Sequence, residues 1–297
     1  MGETATASLL HIAPDVLGPA FDHMPSGYRH ELHTLPLFQP DALEALARKF
    51  EGHPHDYFVA ASAATPGTAF YAVPTKAEGP EAALRNLHLG RTRVLLKRPE
   101  NHDPQFRALL DALFDEVRLC LPELRGERIA RIESGVLITS QASTTPFHFD
   151  PEVGFFCQIE GRKSYHLYPP DNLSEPELEQ FYVRGRVDIG QVDIARRDAS
   201  REFVFELEPG HGLHQPRNAP HWVQTHGSRS VSYTMVFETE SSRVRARARG
   251  MNHYLRKAGL APTPPGLDIR RDAAKSRVML AMNPLRHAAQ RAKRAFG

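Results

Sequence analysis

The sequence predicts a mainly β protein with added α-helix: an antiparallel double-sheet jelly-roll barrel, with α+β support before it and helices after it. Three observations carry this expectation. Between about residues 128 and 240 the apolar residues fall in short β-rich runs broken by Gly and Pro, the pattern of an all-β barrel or sandwich. Before and after that stretch the apolar spacing becomes helical. The segment from 241 onward is also set apart by charge, with fourteen Lys and Arg against two acidic residues in a chain of net charge +2.

Three regions follow: an α+β support region over 1–127, the barrel over 128–240 and a basic helical region over 241–297. In the first, 40–50 (PDALEALARKF) and 103–121 (DPQFRALLDALFDEVRLCL) have helical periodicity. The second opens with Asp103 as N-cap and Pro104 at the first helical position. FYAV (70–73) and TRVLLK (92–97) read as β-like runs. In the barrel, strands are expected at 128–140, 146–150, 154–160, 162–169, 202–207, 212–216, 221–225 and 230–238, with Glu160-Gly161 as a tight hairpin turn. The charged insert 171–200 reads either as a lid beside the barrel mouth or as a surface excursion.

Composition narrows the class. With 41% hydrophobic and 24% charged residues over 297 positions, the chain is an ordinary globular protein large enough to bury a core. It contains no run approaching the ~20 apolar residues of a membrane span. The first residues lack a basic segment followed by an apolar core, so a cytoplasmic location is expected. Cys120 and Cys157 are far apart without CxxC spacing, which argues against a disulfide framework or a thiolate zinc site.

The chemistry centres on His148-Phe149-Asp150 and on His221. On a strand, residues two apart share a face, so His148 and Asp150 project together while Phe149 points away. Two histidines and a carboxylate form a facial triad that leaves cis positions open on iron(II). Taken alone the pattern is weak in a chain of 16 histidines, where core or surface histidines are the plainer reading.

The surrounding residues sharpen it. The segment TTPFHFDPEVGFFCQIEGRKSYHLYPPD (144–171), with its T-P-x-H-x-D opening, double-aromatic strand and lysine strand ending in PPD, resembles the iron-binding segment of the JmjC-type hydroxylases. The likeness is greatest to the asparaginyl hydroxylase of hypoxia-inducible factor and its bacterial cupin-like relatives. A second segment, EPGHGLHQPRNAPHWVQ (208–224), resembles the family's later motif, with Pro216 five residues before His221. The resemblance implies a double-stranded β-helix (cupin) barrel and an iron(II)- and 2-oxoglutarate-dependent oxygenase. It implies His148, Asp150 and His221 as metal ligands, and Lys163 and Thr145 at the distal carboxylate of 2-oxoglutarate. Gly154 and Val236 stand where that hydroxylase has asparagines. His211 replaces a family aspartate and reads as a turn residue; His211, His214 and His226 are minor alternatives as ligands. Phe147, Phe149, Phe155, Phe156 and Trp222 read as core.

The resemblance does not name the substrate: a protein side chain, an RNA base or a small molecule, altered by hydroxylation or demethylation, all remain open. Two readings compete with the oxygenase, a non-catalytic cupin that binds a ligand and a scaffold for a basic arm that binds nucleic acid or an acidic membrane. In the last helical piece Val278, Met282, Leu285, Ala289, Ala292 and Phe296 form one apolar stripe. A homodimer through the C-terminal helices is expected from it, with packing on the chain's own barrel as the competing reading.

Overall fold

The computed structural model describes residues 8–63, 65–183 and 189–296. The strands are β1 (Leu10–His11), β2 (Ser26–His30), β3 (Tyr57–Ala61), β4 (Thr92–Lys97), β5 (Ile129–Thr139), β6 (Thr144–Phe149), β7 (Val153–Leu167), β8 (Gly190–Gln191), β9 (Phe203–Leu207), β10 (His211–Gln215) and β11 (His221–Thr239). The helices are α1 (Pro14–Ala20), α2 (Pro40–Lys49), α3 (Pro80–Arg85), α4 (Pro104–Cys120), α5 (Glu175–Tyr182), α6 (Glu240–Lys257) and α7 (Ile269–Phe296). Among the described residues, no helix is long and apolar enough to cross a membrane.

Two long strands organise the barrel. The first half of β7 pairs with β10 and with the second half of β11, while its second half pairs with β9 and the first half of β11. One sheet therefore runs β1-β2-β10-β7-β11-β5-β4-β3, and a smaller one is built from β8, β6 and β9 around the other ends of β7 and β11. Both long strands change sheet where their register slips, between Glu160 and Arg162 on β7 and between His226 and Val231 on β11. The hairpin expected at Glu160-Gly161 is thus a bend within one strand. Gly161 takes φ +73, and a Cβ there would lie 2.4 Å from the Arg229 carbonyl oxygen, so only glycine fits.

The bend also resets which side chains face inward. Before it, Val153, Phe155, Cys157 and Ile159 pack outward against Leu43, Leu46, Phe106, Leu110 and Leu113 of α2 and α4 in the main core. The alternate residues Gly154 and Phe156 line the barrel cavity; after the slip it is Lys163 and Tyr165 that do so. Each buried Leu or Phe of the helix-covered layer contributes roughly 1.5–3 kcal/mol. The α4 start agrees with the sequence reading, the Asp103 side chain accepting from the Gln105 backbone N–H at 2.8 Å. The run FYAV differs: Phe70–Ala72 is a 3-10 turn, and pairing begins only at Thr75, which bridges Ala60.

The C-terminal region packs on the chain itself. On α6, Arg249 pairs with Glu175 (2.9 Å), Arg256 with Glu179 (2.9 Å) and Arg243 with Glu238 (3.1 Å), while Arg247 donates to Ser276 of α7 (2.7 Å). The insert carrying Glu175 and Glu179 forms α5, which docks on this basic helix. On α7 the buried face is Asp272, Ser276 and Met279, whereas Val278 of the expected stripe is 47% exposed. Side chains from 283 onward, including Leu285, Ala289, Ala292 and Phe296, lie outside the described residues.

Gly161→Val should lower the stability by about 1–3 kcal/mol or more, from strain at a positive φ together with the backbone clash. Urea denaturation checks this, and an unchanged midpoint would contradict the bend as drawn.

Candidate metal centre and cosubstrate cavity

The two histidines meet because of strand register. His148 on β6 is the direct partner of His221 on β11, and such antiparallel partners place their side chains side by side on one face. Asp150 follows the end of β6, where its carbonyl accepts the Asn218 backbone N–H (2.8 Å). The Asp150 carboxylate then lies 3.8 Å from His148 Nε2 and 3.6 Å from His221 Nε2, and the imidazole centroids are 4.1 Å apart.

Hydrogen bonds fix the tautomers. His148 Nδ1 donates to the Pro146 carbonyl at 2.7 Å and His221 Nδ1 to the Ala219 carbonyl at 3.0 Å. Both Nε2 lone pairs are therefore turned toward the carboxylate, the arrangement a divalent metal needs. Burial, followed by the neighbouring His221, pushes the His148 imidazole down to about 3; burial likewise lowers His221. Neutral imidazole is the metal-binding form. Gln215 Nε2 donates to the Asp150 carboxylate (3.2 Å), and Tyr165, whose ring stacks 5.3 Å from that of His221, donates to the Gln215 carbonyl oxygen.

The triad forms one wall of a cavity of about 410 Å³ that Thr145 and Lys163 also line. Lys163 is 1% exposed, and its Nζ donates to Ser232 Oγ (2.7 Å), which donates in turn to Gln158 Oε1 (2.9 Å). Burial, and then the charge of Arg93, pulls the Lys163 amine down to about 7. Gly154 and Val236 are register partners on β7 and β11, and both face this cavity. Glu152 lines it too, held by Arg131, which also pairs with Glu238 (3.2 Å) and Glu133 (3.3 Å).

The minor alternatives lie elsewhere. His211 donates to the Glu206 carbonyl (3.2 Å), His214 accepts from the Asp22 backbone N–H (3.2 Å) and His226 bonds Ser164 (2.6 Å). Among the described residues a second His-Asp-His group, His53, Asp56 and His102, also draws close. There, however, Arg98 and His102 already occupy the Asp56 carboxylate. Of the aromatics read as core, Phe147, Phe149 and Phe155 are buried in packing, whereas Phe156 lines the cavity beneath Lys163 and Trp222 stacks on His166 at 3.7 Å. Sequence reasoning missed Gln215 and Arg93. Gln215 lies inside the second motif, where β10 pairs with β7 and Gln215 is the partner of Gly154, but Arg93 carried no motif at all.

A match to the family model of the cupin-like domain spans residues 69–243. The chain belongs to the cupin-like domain family. Among curated proteins, the HSPB1-associated protein 1 homolog of Danio rerio is 29% identical over 117 residues, covering 36% of this chain and 26% of its own length. This chain therefore spans about a quarter of the curated relatives it matches. Among solved structures, Escherichia coli ycfD superposes with a TM-score of 0.53 at 17% identity, over 92% of this chain and 67% of that one. YcfD, described as a ribosomal oxygenase, was also solved in complex with cobalt and 2-oxoglutarate, and that structure matches with a TM-score of 0.50 at 17% identity, covering 92% of this chain and 67% of that one. At such identity the likeness establishes the shared fold.

Proposed function

We propose that this cupin-like chain is an iron(II)- and 2-oxoglutarate-dependent oxygenase, in which His148, Asp150 and His221 hold the metal while Lys163 and Thr145 receive the distal carboxylate of the cosubstrate. One observation carries the reading: two Nε2 atoms and a carboxylate converge on a buried cavity wall, and the cavity also holds a lysine whose polar partner is a hydroxyl. The complex of YcfD with cobalt and 2-oxoglutarate supports it from the same fold. When bound, iron and 2-oxoglutarate supply oxidative decarboxylation to succinate, coupled to oxygen transfer to a C–H bond.

The chain's own residues supply position and exclusion of water. Gln215 holds the Asp150 carboxylate, Tyr165 and Phe70 pack against the two imidazoles, and Phe58, Leu95 and Leu137 give the cavity apolar walls. Its size suits a small cosubstrate beside one reacting side chain or a small molecule, and hydroxylation of such a group is the proposed outcome. The basic arm is a weaker alternative, because four of the five α6 arginines, Arg243, Arg247, Arg249 and Arg256, are engaged in internal contacts. The exposed Val278 and Leu280 on α7 support a homodimer through that helix.

Purified protein should bind about one iron(II) per chain, and His148→Ala, Asp150→Ala or His221→Ala should each abolish it, because too few protein donors remain. Unchanged iron content in all three variants would overturn the ligand assignment.

Lys163→Met should weaken 2-oxoglutarate binding while sparing iron. The proton balance gives a further sign. Burial lowers the Lys163 pKa to about 7, so at pH 8 its amine is mostly neutral in the empty site. A carboxylate placed beside it raises that pKa, and binding must take up a proton. Calorimetry at pH 8 in two buffers of different ionisation enthalpy should find this uptake in wild type and lose it in Lys163→Met; equal uptake in both would contradict the role.

Val278→Glu with Leu280→Glu should convert a dimer to a monomer in light scattering. A wild-type protein already monomeric at micromolar concentration would rule the dimer out.

A further inference from the structure

The cavity contains a second buried cation. The pleat of β4 sends Val94 and Leu96 into the helix-covered core and turns Arg93, Leu95 and Lys97 into the cavity. Arg93 is 4% exposed, with its guanidinium carbon 5.7 Å from the Phe58 ring centroid and 5.2 Å from that of Phe70. Burial acts on it, pulling its pKa only to about 10, and among the described residues no carboxylate or hydrogen-bond partner contributes. It therefore remains a cation at neutral pH. Among the described residues the other buried arginine is treated differently: Arg197 is paired with Glu177 at 2.6 Å. A guanidinium kept from water without an anion is costly, and a cavity that keeps one beside the Lys163 amine is shaped for a negative guest.

The strands place the two cations at one end. Arg93 is the register partner of Thr139, the Thr139 hydroxyl lies 3.1 Å from that of Thr225, and Thr225 is the partner of Lys163. Two register pairs and one hydroxyl contact, from Arg93 through Thr139 and Thr225 to Lys163, thus link β4, β5, β11 and β7. We propose that Arg93 is a second cosubstrate-binding residue, gripping the distal carboxylate of 2-oxoglutarate together with Lys163. A planar guanidinium takes a carboxylate through two parallel hydrogen bonds, which an ammonium does not. Charge balance favours this occupant over an acidic group on the substrate. The keto-acid carboxylate and Asp150 would neutralise iron(II), leaving the distal carboxylate to meet the permanent charge of Arg93 beside Lys163, which takes up its proton as the carboxylate arrives. Arg93 then sets the preference for a 2-oxo acid with a second carboxylate.

This inference rests on the oxygenase reading, and the test separates the two. Iron(II)-loaded protein is titrated without oxygen, by calorimetry, with 2-oxoglutarate and with 2-oxopentanoate, which keeps the keto acid and lacks the distal carboxylate. Wild type should prefer 2-oxoglutarate strongly. Arg93→Gln should lose about 10- to 100-fold in 2-oxoglutarate affinity, the scale of one charge-assisted bidentate contact, with iron content and 2-oxopentanoate affinity unchanged; Arg93→Lys should recover part of the loss. Without ligand, Arg93→Met should melt no lower than wild type, because an unpaired buried charge has been removed. An unchanged preference in Arg93→Gln, with wild type binding iron and 2-oxoglutarate, overturns the Arg93 role alone. A lowered Tm in ligand-free Arg93→Met marks Arg93 as a structural cation and overturns it too. Wild type that binds neither iron nor 2-oxoglutarate overturns the oxygenase reading and this inference together.

Discussion

The site depends on the antiparallel pairing of β6 with β11 that sets His148 opposite His221. A slip of one residue would turn one imidazole away from the cavity. The pairing is secured at both ends: Thr144 Oγ1 donates to Gln224 at 2.8 Å, and the Asp150 carbonyl accepts from Asn218. The bends of β7 and β11 serve the same end, since they let each strand contribute to both sheets and shift the inward phase to Lys163 and Tyr165.

Much of this was legible in the sequence, and the reasons can be stated. The triad could be read because its spacing is local on one strand and its flanking residues form a recognisable motif. The strand segments could be read because turn residues punctuate them. Glu160-Gly161 misled because glycine at positive φ serves a hairpin and a strand bend equally; only the partner strand distinguishes them, and β11 bends beside it at Gly227. Arg93 was invisible for a different reason. It lies in a region that reads as support, and nothing local to TRVLLK says that the odd positions face a cavity rather than solvent. Gln215 sat within the second motif, yet its bond to Asp150 is a tertiary fact.

Electrostatics divides the molecule in a way that net charge conceals. A polyanion-binding arm is one competing reading of the basic C-terminal segment, but α6 commits Arg249, Arg256 and Arg243 to Glu175, Glu179 and Glu238. Glu152 at the cavity has the same kind of partner in Arg131. Lys163 and Arg93 are buried basic side chains of the cavity that, among the described residues, lack a carboxylate partner. A charge that the fold leaves unmatched at a concave, apolar site indicates its ligand better than one on the surface, where solvent and salt screen it.

The central claim is that the meeting point of His148, Asp150 and His221 is an iron site opening onto a cosubstrate cavity. The most direct measurement is the anomalous scattering at the iron edge from crystals grown without oxygen in the presence of iron(II) and 2-oxoglutarate. The account predicts a single strong peak within bonding distance of both Nε2 atoms and the Asp150 carboxylate, with 2-oxoglutarate density running from it toward Lys163. A peak at His53, Asp56 and His102 instead, or none at the triad, would contradict it.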